Sequence, residues 1–296
     1  MKIGIIGGGA IGLLYAFNLS FQHEVCLYVR TKQQANIIAS EGIFCERNGQ
    51  KKQRFVKVEE FKKTVLDDDF TIVTVKQYQL EKLIPQLHQA KTILFLQNGM
   101  SHLKWLDHLL AENIFLGVSE HGSLKINDNH IIHTGIGITR VAIFKGEITP
   151  DVKRSFINSV EDFPIKIESN YYNMMIKKLV VNVMINPLTA ILQIHNGELL
   201  TNPHFKTLFD ALFAEVQMVL SLKHEVDLYP YVMEICKRTA LNKSSMLKDV
   251  EEGRPTEVDA ILGYIIKQAE ERQINAPIIK SLYHLIKGKE LAKRGI

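Results

Sequence analysis

Lys178, Asn182 and Asn186 are the residues of this chain whose types and spacing point most clearly to chemistry. They stand four positions apart, so on a helix their side chains would lie above one another on one face. The residues between them are apolar and Pro187 follows directly, which predicts a buried helix that ends at this proline. An ammonium and two carboxamides on a buried helix need polar partners, and a bound polar ligand could supply them. The alternative interpretation is a helix end whose polar residues face solvent.

A glycine motif near the N-terminus is the second group with chemical potential. Lys2 to Ile6 predicts a short buried strand, Leu13 to Leu19 predicts an apolar helix, and Glu24 to Val29 predicts a second strand. Between the first strand and the helix lie Gly7, Gly8, Gly9, Ala10, Ile11 and Gly12. A Gly-x-Gly-x-x-Gly turn in this context is typical of dinucleotide-binding sites, because the backbone can approach a pyrophosphate and the helix N-terminus presents free N–H groups to it. The alternative is a glycine turn that binds nothing.

Arg30 ends the second predicted strand and bears on the choice of cofactor. Sites for NAD and FAD usually carry an acid about here, which holds the ribose hydroxyls. A carboxylate would repel a 2′-phosphate, whereas arginine pairs with it through two parallel hydrogen bonds. The sequence therefore favours NADPH over NADH. The alternative is an exposed arginine on a loop.

Two further polar residues follow predicted strands. Lys76 follows the strand Phe70 to Val75, and Asn98 follows the strand Thr92 to Leu96. Ligands of open parallel sheets bind beyond the carboxyl ends of the strands. We therefore expect both residues to join Arg30 at one crevice.

The remaining pattern predicts two domains. Residues 43–47 and 54–58 predict a hairpin around Asn48-Gly49, and residues 124–144 predict an antiparallel β-meander that extends the sheet. From residue 169 onwards the pattern is almost entirely helical. We therefore predict an α/β Rossmann-type domain over residues 1–168, followed by an all-α domain over residues 169–296. The active site is expected in the cleft between them.

The helical half contains more polar positions. Asn196 lies in a turn, and Ser245 lies in a Ser-Ser-Met-Leu segment. Thr256 and Asp259 have the spacing of a capping box at a helix start. Glu257 between them has two interpretations of equal weight, a carboxylate that complements the helix dipole or a functional group.

Composition excludes several classes of protein. A net charge of +4 in 296 residues is too small to indicate nucleic-acid binding. No stretch reaches the roughly 20 apolar residues of a membrane helix, and glycines interrupt the apolar run that follows Lys2, so neither a membrane partner nor a signal peptide is predicted. The three cysteines lack metal-ligand spacing and suit a reducing cytoplasm. We predict no metal site.

At the level of whole motifs, the chain resembles the ketopantoate reductase (2-dehydropantoate 2-reductase) family over essentially its full length. The matching pieces are Gly7-x-Gly9-x-x-Gly12, Val75-Lys76-x-x-Gln79, Gln97-Asn98-Gly99, His133-Thr134-Gly135-x-Gly137, Lys178-x-x-x-Asn182-x-x-x-Asn186-Pro187-Leu188-Thr189-Ala190, Asn196-Gly197-Glu198, Ser244-Ser245-Met246-Leu247-x-Asp249 and Thr256-Glu257-Val258-Asp259. Many dehydrogenases share the first. The pieces that begin at Lys178 and Ser244 are far more specific.

The resemblance implies NADPH as hydride donor, 2-dehydropantoate as substrate and pantoate as product, on the route to pantothenate and coenzyme A. Lys178 matches the proton donor of the family, and Glu257 matches a residue near the nicotinamide-side ribose and the catalytic lysine. The positions that match substrate contacts are Asn98, Lys178, Asn182, Asn186, Asn196 and Ser245. Asn98 also matches a cofactor contact, and Ser123 matches a position whose backbone meets the cofactor.

One segment departs from the family pattern. Similar enzymes commonly carry threonines where this chain has Ser119-Glu120-His121, and an acid near cofactor phosphates is unfavourable.

Three other functions remain as alternatives. They are a reductase of another branched 2-oxo acid, a non-catalytic NADPH-binding sensor, and a flavoprotein, for which Arg30 is the wrong residue. A sensor needs only the nucleotide contacts of the first domain, so the presence of Lys178, Asn182, Asn186, Ser245 and Glu257 argues against it. A homodimer is kept as a working expectation.

Overall fold

The computed structural model describes residues 1–62, 66–157, 162–222 and 228–292. The chain divides into two compact units. The first comprises Met1–Gln97 and His102–Met174, and the second comprises Asn98–Ser101 and Met175–Ile296. The domain boundary after residue 168 stays a prediction.

The first unit holds all the described strands. They are β1 (Lys2–Ile6), β2 (Glu24–Val29), β3 (Ile43–Arg47), β4 (Gln50–Arg54), β5 (Lys57–Glu60), β6 (Phe70–Val73), β7 (Thr92–Phe95), β8 (Asn113–Ser119), β9 (Gly122–Lys125), β10 (His130–Gly135), β11 (Thr139–Lys145) and β12 (Ile165–Ile167). Its helices are α1 (Ala10–Leu19), α2 (Lys32–Glu41), α3 (Gln77–Leu80), α4 (Ile84–Leu87), α5 (Leu103–Leu106) and α6 (Pro150–Ile157). The sequence pattern predicts one helix over residues 78–87, where the structure has the two short helices α3 and α4. It predicts another over residues 102–110, of which α5 covers only four. The helix that begins near Pro150 is predicted to end near Asp162, and residues 158–161 of this stretch lie outside the described residues.

Eight strands form the main sheet in the order β12-β11-β8-β7-β6-β1-β2-β5. Every pair is parallel except β8 with β11, which is antiparallel. The four residues of β6 and of β7 are all buried, as expected of central parallel strands that are covered on both faces. This confirms the predicted α/β Rossmann-type fold.

A second sheet has four strands in the order β4-β3-β10-β9. The predicted hairpin around Asn48-Gly49 is confirmed, because β3 and β4 are antiparallel and both turn residues have positive φ. The predicted extent of the second hairpin strand, residues 54–58, is wrong: β4 ends at Arg54, and β5 pairs with β2 in the main sheet. The predicted meander is also wrong, because β9 and β10 belong to the second sheet and only β11 extends the main one.

The described part of the second unit is helical, as predicted. Its helices are α7 (Tyr171–Leu192), α8 (Glu198–Thr201), α9 (Pro203–Leu220), α10 (Leu228–Arg238), α11 (Ser245–Glu251), α12 (Val258–Glu271) and α13 (Pro277–Ala292). α9, α12 and α13 pack against one another through buried residues such as Phe209, Ile261 and Ile279. The sequence pattern predicts a helix over about residues 203–223, and in the structure α9 ends at Leu220, while residues 223–227 lie outside the described part.

The prediction that α7 ends at Pro187 is wrong, since the helix continues to Leu192. Pro187 removes one backbone donor, but all residues from Leu179 to Ala190 are buried, and this packing stabilises the continuous helix. Thr189 Oγ1 adds hydrogen bonds to the carbonyl oxygens of Ile185 (2.8 Å) and Asn186 (3.1 Å). By length and composition α7 could cross a membrane, but it is mostly buried inside the protein, as core helices are.

Candidate active site

The glycine turn after β1 has the geometry that its sequence predicts. Gly7 has a backbone φ of +118°, a conformation that residues other than glycine rarely adopt. A Cβ on Gly12 would lie 1.7 Å from the Gly7 carbonyl oxygen, so only glycine lets α1 start this close to the turn. A Cβ on Gly9 would meet none of the described residues within 4 Å. Gly9 therefore faces open space where a ligand could approach the backbone.

The first turn of α1 presents donors to this space. Leu13 N–H donates to the Gly9 carbonyl (3.0 Å), which is the first hydrogen bond of the helix. The N–H groups of Ala10, Ile11 and Gly12 precede it and have no partner within the helix. The first turn carries no acidic residue. This is a phosphate-binding arrangement, with N–H groups and the positive end of the helix dipole directed the same way.

Arg30 lies at the same edge of the main sheet as the glycine turn. β1 and β2 are neighbours in register, with Ile6 opposite Tyr28, and Gly7 N–H donates to the Tyr28 carbonyl (2.9 Å). Arg30 follows β2 and is exposed, and Thr31 then caps α2. The guanidinium is accessible to a ligand that also contacts the glycine turn.

Lys76 is brought to this edge by β6, the neighbour of β1 on its other side. It is half-buried and precedes α3. Thr74 ties the two strand ends together, because its hydroxyl contacts the carbonyl oxygens of Ile6 (3.0 Å) and Gly7 (3.1 Å). Ser123 reaches the same region from β9 and donates to the Ala10 carbonyl (3.1 Å).

The polar face of α7 lies in the second unit. Lys178 is half-buried, and Asn182 and Asn186 are each only 6% exposed, whereas Lys177 is exposed. The two carboxamides are therefore part of the interior, which excludes the interpretation as a solvated helix end.

Ser245 is placed by a contact between α7 and α11. The hydroxyls of Thr189 on α7 and Ser244 are hydrogen-bonded (2.7 Å), and Ser244 Oγ accepts the N–H of Leu247 (3.1 Å) as the N-cap of α11. Thr189 also binds the carbonyl of Asn186. Ser245 is the exposed first residue of α11, so it lies close to the Asn186 end of the polar face.

Asn196 is buried in the turn that follows α7. Its N–H donates to the Asn242 carbonyl (3.1 Å), and its side-chain Nδ2 donates to Thr239 Oγ1 (2.9 Å). A Cβ on Gly197 would lie 2.6 Å from Ala240 Cβ, so glycine is needed where this turn meets residues 239–242.

Glu257 and Asn98 meet at the start of α12. Asn98 Nδ2 donates to Glu257 Oε2 (2.9 Å). The neighbouring Gly99 has φ +77°, and a Cβ there would lie 2.2 Å from the Ala260 carbonyl oxygen. Asn98 and Gly99 therefore rest directly on the start of α12, which holds the Asn98 carboxamide against Glu257.

The predicted capping box at Thr256 and Asp259 is wrong. The N-cap of α12 is Glu257, which makes no side-chain cap hydrogen bond, and Thr256 precedes it and accepts the N–H of Val258 (3.2 Å). Asp259 does not close the box, because its carboxylate accepts from Tyr283 Oη (2.7 Å) and Lys287 Nζ (3.1 Å) on α13. The Asp259 carboxylate therefore bonds to side chains of helix α13 rather than to backbone groups at the start of its own helix.

Comparison with known proteins follows the same division of the chain. The sequence model of the family described as Ketopantoate reductase PanE/ApbA matches residues 3–146, and that of its C-terminal region matches residues 170–290. The chain belongs to the ketopantoate reductase family. It is 40% identical to the 2-dehydropantoate 2-reductase of Bacillus subtilis (strain 168) over 295 residues, which cover 98% of each chain.

Solved structures agree with this assignment. The crystal structure of the probable 2-dehydropantoate 2-reductase from Bacillus subtilis has a TM-score of 0.89 and covers 98% of this chain and 100% of its own. D-mandelate dehydrogenase, solved with NADH and anilino(oxo)acetate, has a TM-score of 0.88 at 23% identity and covers 99% of both chains. The second likeness is one of fold.

The departure of this family member at Glu120 has a local explanation. Arg140 on β11 donates from Nε to Glu120 Oε1 (3.1 Å) and also pairs with Glu168 on the other side. Glu120 N–H donates to the Ile138 carbonyl, so the backbone there follows the β8–β11 pairing. The carboxylate is therefore neutralised within the sheet rather than left unpaired.

Sequence reasoning gave no positioning role to three residues that hold the family motifs in place, although Gln97 is itself part of one motif. Thr74 joins β6 to the glycine turn, Gln97 Nε2 donates to the carbonyls of Val73 (3.0 Å) and Val75 (2.9 Å), and Thr239 holds the Asn196 carboxamide. Thr74 and Gln97 carry a signal in hindsight, because each is a polar residue at the end of a buried strand. Thr239 carries none, since nothing local marks it as the partner of a residue 43 positions away.

Proposed function

We propose that this ketopantoate reductase family member reduces 2-dehydropantoate to pantoate with NADPH, a step towards pantothenate and coenzyme A. The observation that carries the proposal is the interior polar face of α7, where Lys178, Asn182 and Asn186 follow one another on a helix that is otherwise apolar. A cofactor-binding protein without catalysis has no need of such a face. A 2-oxo acid with a carboxylate, a ketone and a hydroxyl would satisfy it.

The cofactor in this proposal is a nicotinamide dinucleotide, specifically NADPH. Its pyrophosphate would be held by the turn and first helical residues Gly7, Gly8, Gly9, Ala10, Ile11 and Gly12. Arg30 would pair with the 2′-phosphate, for which its exposed position beyond β2 is suited. Further contacts are assigned to Lys76, Asn98, Ser123 and Glu257. When bound, NADPH supplies the hydride that reaches the ketone carbon.

Lys178 is the proposed proton donor. Negative charge develops on the ketone oxygen as the carbonyl is reduced, and an ammonium beside it stabilises that charge and supplies the proton. A lysine side chain is protonated at neutral pH unless its surroundings change it strongly. Glu257 is assigned to the same catalytic group, and its carboxylate holds the Asn98 carboxamide through the 2.9 Å hydrogen bond.

The substrate is assigned to Asn98, Lys178, Asn182, Asn186, Asn196 and Ser245. Carboxamides and a hydroxyl both donate and accept hydrogen bonds without adding net charge, which suits a substrate with acceptors and one hydroxyl donor. The lysine supplies the positive charge that a carboxylate substrate requires.

The proposal places the enzyme in the cytoplasm as a homodimer, acting on a small molecule without a nucleic-acid or membrane partner. The cytoplasmic location is supported by the cysteines. Cys26, Cys45 and Cys236 are free and buried, as expected in a reducing compartment. Light scattering of the purified chain tests the dimer.

A direct absorbance assay with two substrates tests the proposed function. Purified protein is mixed with NADPH and 2-dehydropantoate, and the absorbance of the reduced nicotinamide is followed. We expect rapid loss of absorbance, and a lower kcat/KM for the same 2-oxo acid without its hydroxyl group. Faster turnover of the deoxy acid would instead indicate a reductase of other branched 2-oxo acids. Tight NADPH binding without oxidation by either acid would indicate a sensor.

A further inference from the structure

Gln34 is a buried polar residue in the first turn of α2, and it is 7% exposed. Its amide Nε2 donates to the carbonyl oxygens of Gly8 (2.8 Å) and Asp128 (2.9 Å). Both partners are acceptors, so only the nitrogen of the carboxamide can face them. The orientation of the side chain is therefore fixed, and both amide hydrogens are used.

The same side chain explains the glycine at position 8. Gly8 is not one of the three glycines of the Gly-x-Gly-x-x-Gly pattern. A Cβ on Gly8 would nevertheless lie 2.6 Å from both Nε2 and Oε1 of Gln34. The carboxamide thus lies against the Gly8 backbone, and a larger residue at position 8 would displace it.

Gln34 is also bonded to the turn that carries Arg30. Its backbone N–H donates to Thr31 Oγ1 (3.3 Å), the N-cap of α2. Thr31 directly follows Arg30. One residue is therefore hydrogen-bonded to the glycine turn through its side chain and to the Arg30 turn through its backbone.

We propose that Gln34 is a positioning residue that sets the spacing between the phosphate-binding glycine turn and Arg30. The inference rests on the proposed binding of NADPH. The pyrophosphate and the 2′-phosphate are attached to the same ribose, that of the adenosine, so a site that binds both must hold its two anchors at one separation. A site that is already ordered binds more tightly than one that must become ordered on binding.

The third partner of Gln34 extends this network to the second sheet. Asp128 lies between β9 and β10, and its carboxylate pairs with Lys125 (3.1 Å). β9 also carries Ser123, which donates to the Ala10 carbonyl in the first turn of α1. The glycine turn is thus held from one side by Gln34 and from the other by Ser123.

The proposal predicts a selective loss of NADPH affinity in Gln34→Met, which keeps the length of the side chain and removes its donors. We expect the Kd for NADPH to rise by about tenfold, since two hydrogen bonds that order the site are lost. The Kd for NADH should rise less, because NADH has no 2′-phosphate that depends on the spacing. The kcat at saturating NADPH should stay within about twofold. Gln33→Met, an exposed neighbour on the same helix, is the matched control and should change neither Kd.

A second variant gives a readout that a purely structural role would not produce. In Gln34→Glu a carboxylate would face two carbonyl oxygens, and only its protonated form could donate a hydrogen bond to one of them. The NADPH affinity of this variant should therefore improve as the pH falls, relative to wild type and to Gln34→Met. This variant also keeps the test open if Gln34→Met fails to fold.

Fluorescence titration of NADPH and NADH, combined with thermal unfolding, decides the outcome. The proposal is supported if Gln34→Met narrows the preference for NADPH over NADH, and if the same change has a smaller effect on NADPH in an Arg30→Ala background. It is overturned if the affinity for NADPH is unchanged. It is also overturned if the affinities for NADPH and NADH fall equally and the melting temperature falls with them. Failure of the wild type to bind NADPH would refute the proposed function instead, which keeps the two failures distinct.

Discussion

At the scale of single residues, Lys178 and its neighbour Lys177 form a natural pair for comparison. Lys178 is half-buried on the polar face of α7, and Lys177 is exposed about 100° away around the helix. Lys178→Met keeps most of the apolar stem and removes the charge and the proton. Because general acid catalysis contributes about 10²–10⁴ in rate, we expect kcat to fall by at least about a hundredfold. Steady-state kinetics with saturating NADPH measures this effect.

The control for this substitution is Lys177→Met, which should be close to neutral in kcat and in NADPH affinity. If Lys177→Met is the crippled variant, the register assigned to the polar face is off by one residue. If neither variant loses much rate, α7 does not carry the proton donor.

Arg30 offers a second test at the residue scale. Arg30→Ala removes a guanidinium that would pair with the 2′-phosphate of NADPH, a charge-assisted contact of about 1.5–3 kcal/mol. The KM for NADPH should rise by roughly tenfold to a hundredfold, and the KM for NADH should change little. Kinetics with both cofactors checks this. An equal rise in the KM for both cofactors would mean that Arg30 does not bind the 2′-phosphate.

Much of this residue-level picture could be predicted from sequence because the chemistry is local. The glycine motif has a fixed spacing, and Lys178, Asn182 and Asn186 share a helix, so periodicity alone places them on one face. The supporting residues could not be found this way. Gln34, Thr74 and Thr239 act through hydrogen bonds to residues 26 to 94 positions away, and no local pattern records such partners.

At the scale of elements, α1 and the glycine turn define a test that separates packing from binding. A Cβ on Gly12 would lie 1.7 Å from the Gly7 carbonyl oxygen, a backbone atom that cannot move without shifting β1 or α1. Gly12→Ala should therefore lower the free energy of unfolding by roughly the 1–3 kcal/mol typical of overpacking. It should also weaken the binding of NADPH.

Gly9→Ala is the matched comparison, because a Cβ there would meet none of the described residues within 4 Å. This variant should fold with near wild-type stability yet bind NADPH more weakly, since the methyl group would occupy the space that a pyrophosphate needs. Differential scanning calorimetry and cofactor titration measure the two effects. A Gly12→Ala protein as stable as Gly9→Ala would contradict the close approach.

The element-level predictions failed where tertiary packing outweighed local signals. Pro187 is a helix breaker in isolation, but α7 is buried from Leu179 to Ala190 and continues through it. β9 and β10 have the pattern of a meander, yet β10 pairs in parallel with β3. The paired residues, such as Ile132 and Glu46, are 86 positions apart in the sequence. Sheet membership of this kind depends on partners that periodicity does not name.

At the scale of the whole molecule, buried histidines predict how stability depends on pH. Burial lowers the pKa of His102 to about 4, and burial together with neighbouring His133 lowers the pKa of His121 to about 4. A histidine in an unfolded chain has a pKa of about 6.5, so the unfolded state binds more protons between these values. The free energy of unfolding is therefore highest above about pH 6.5, where these histidines are neutral in both states, and it decreases as the pH falls towards about 4.

Urea unfolding at several pH values tests this dependence. We expect the free energy of unfolding to fall by about 3 kcal/mol for His102 alone between pH 6.5 and 4. Neither ring nitrogen of His102 has a hydrogen-bond partner among the described residues, so His102→Leu removes a titrating group without breaking a bond. The variant should show a shallower decline than wild type over this range. An identical decline would mean that other groups control the acid sensitivity.

The proposed reaction passes a hydride from NADPH to the ketone carbon of 2-dehydropantoate. The most direct test uses NADPH that carries deuterium at both C4 positions of the nicotinamide, followed by mass spectrometry of the product. We expect pantoate with a single deuterium at the former ketone carbon, and far slower formation of this product by Lys178→Met than by Lys177→Met. Unlabelled pantoate, or no pantoate while NADPH remains bound, would contradict it.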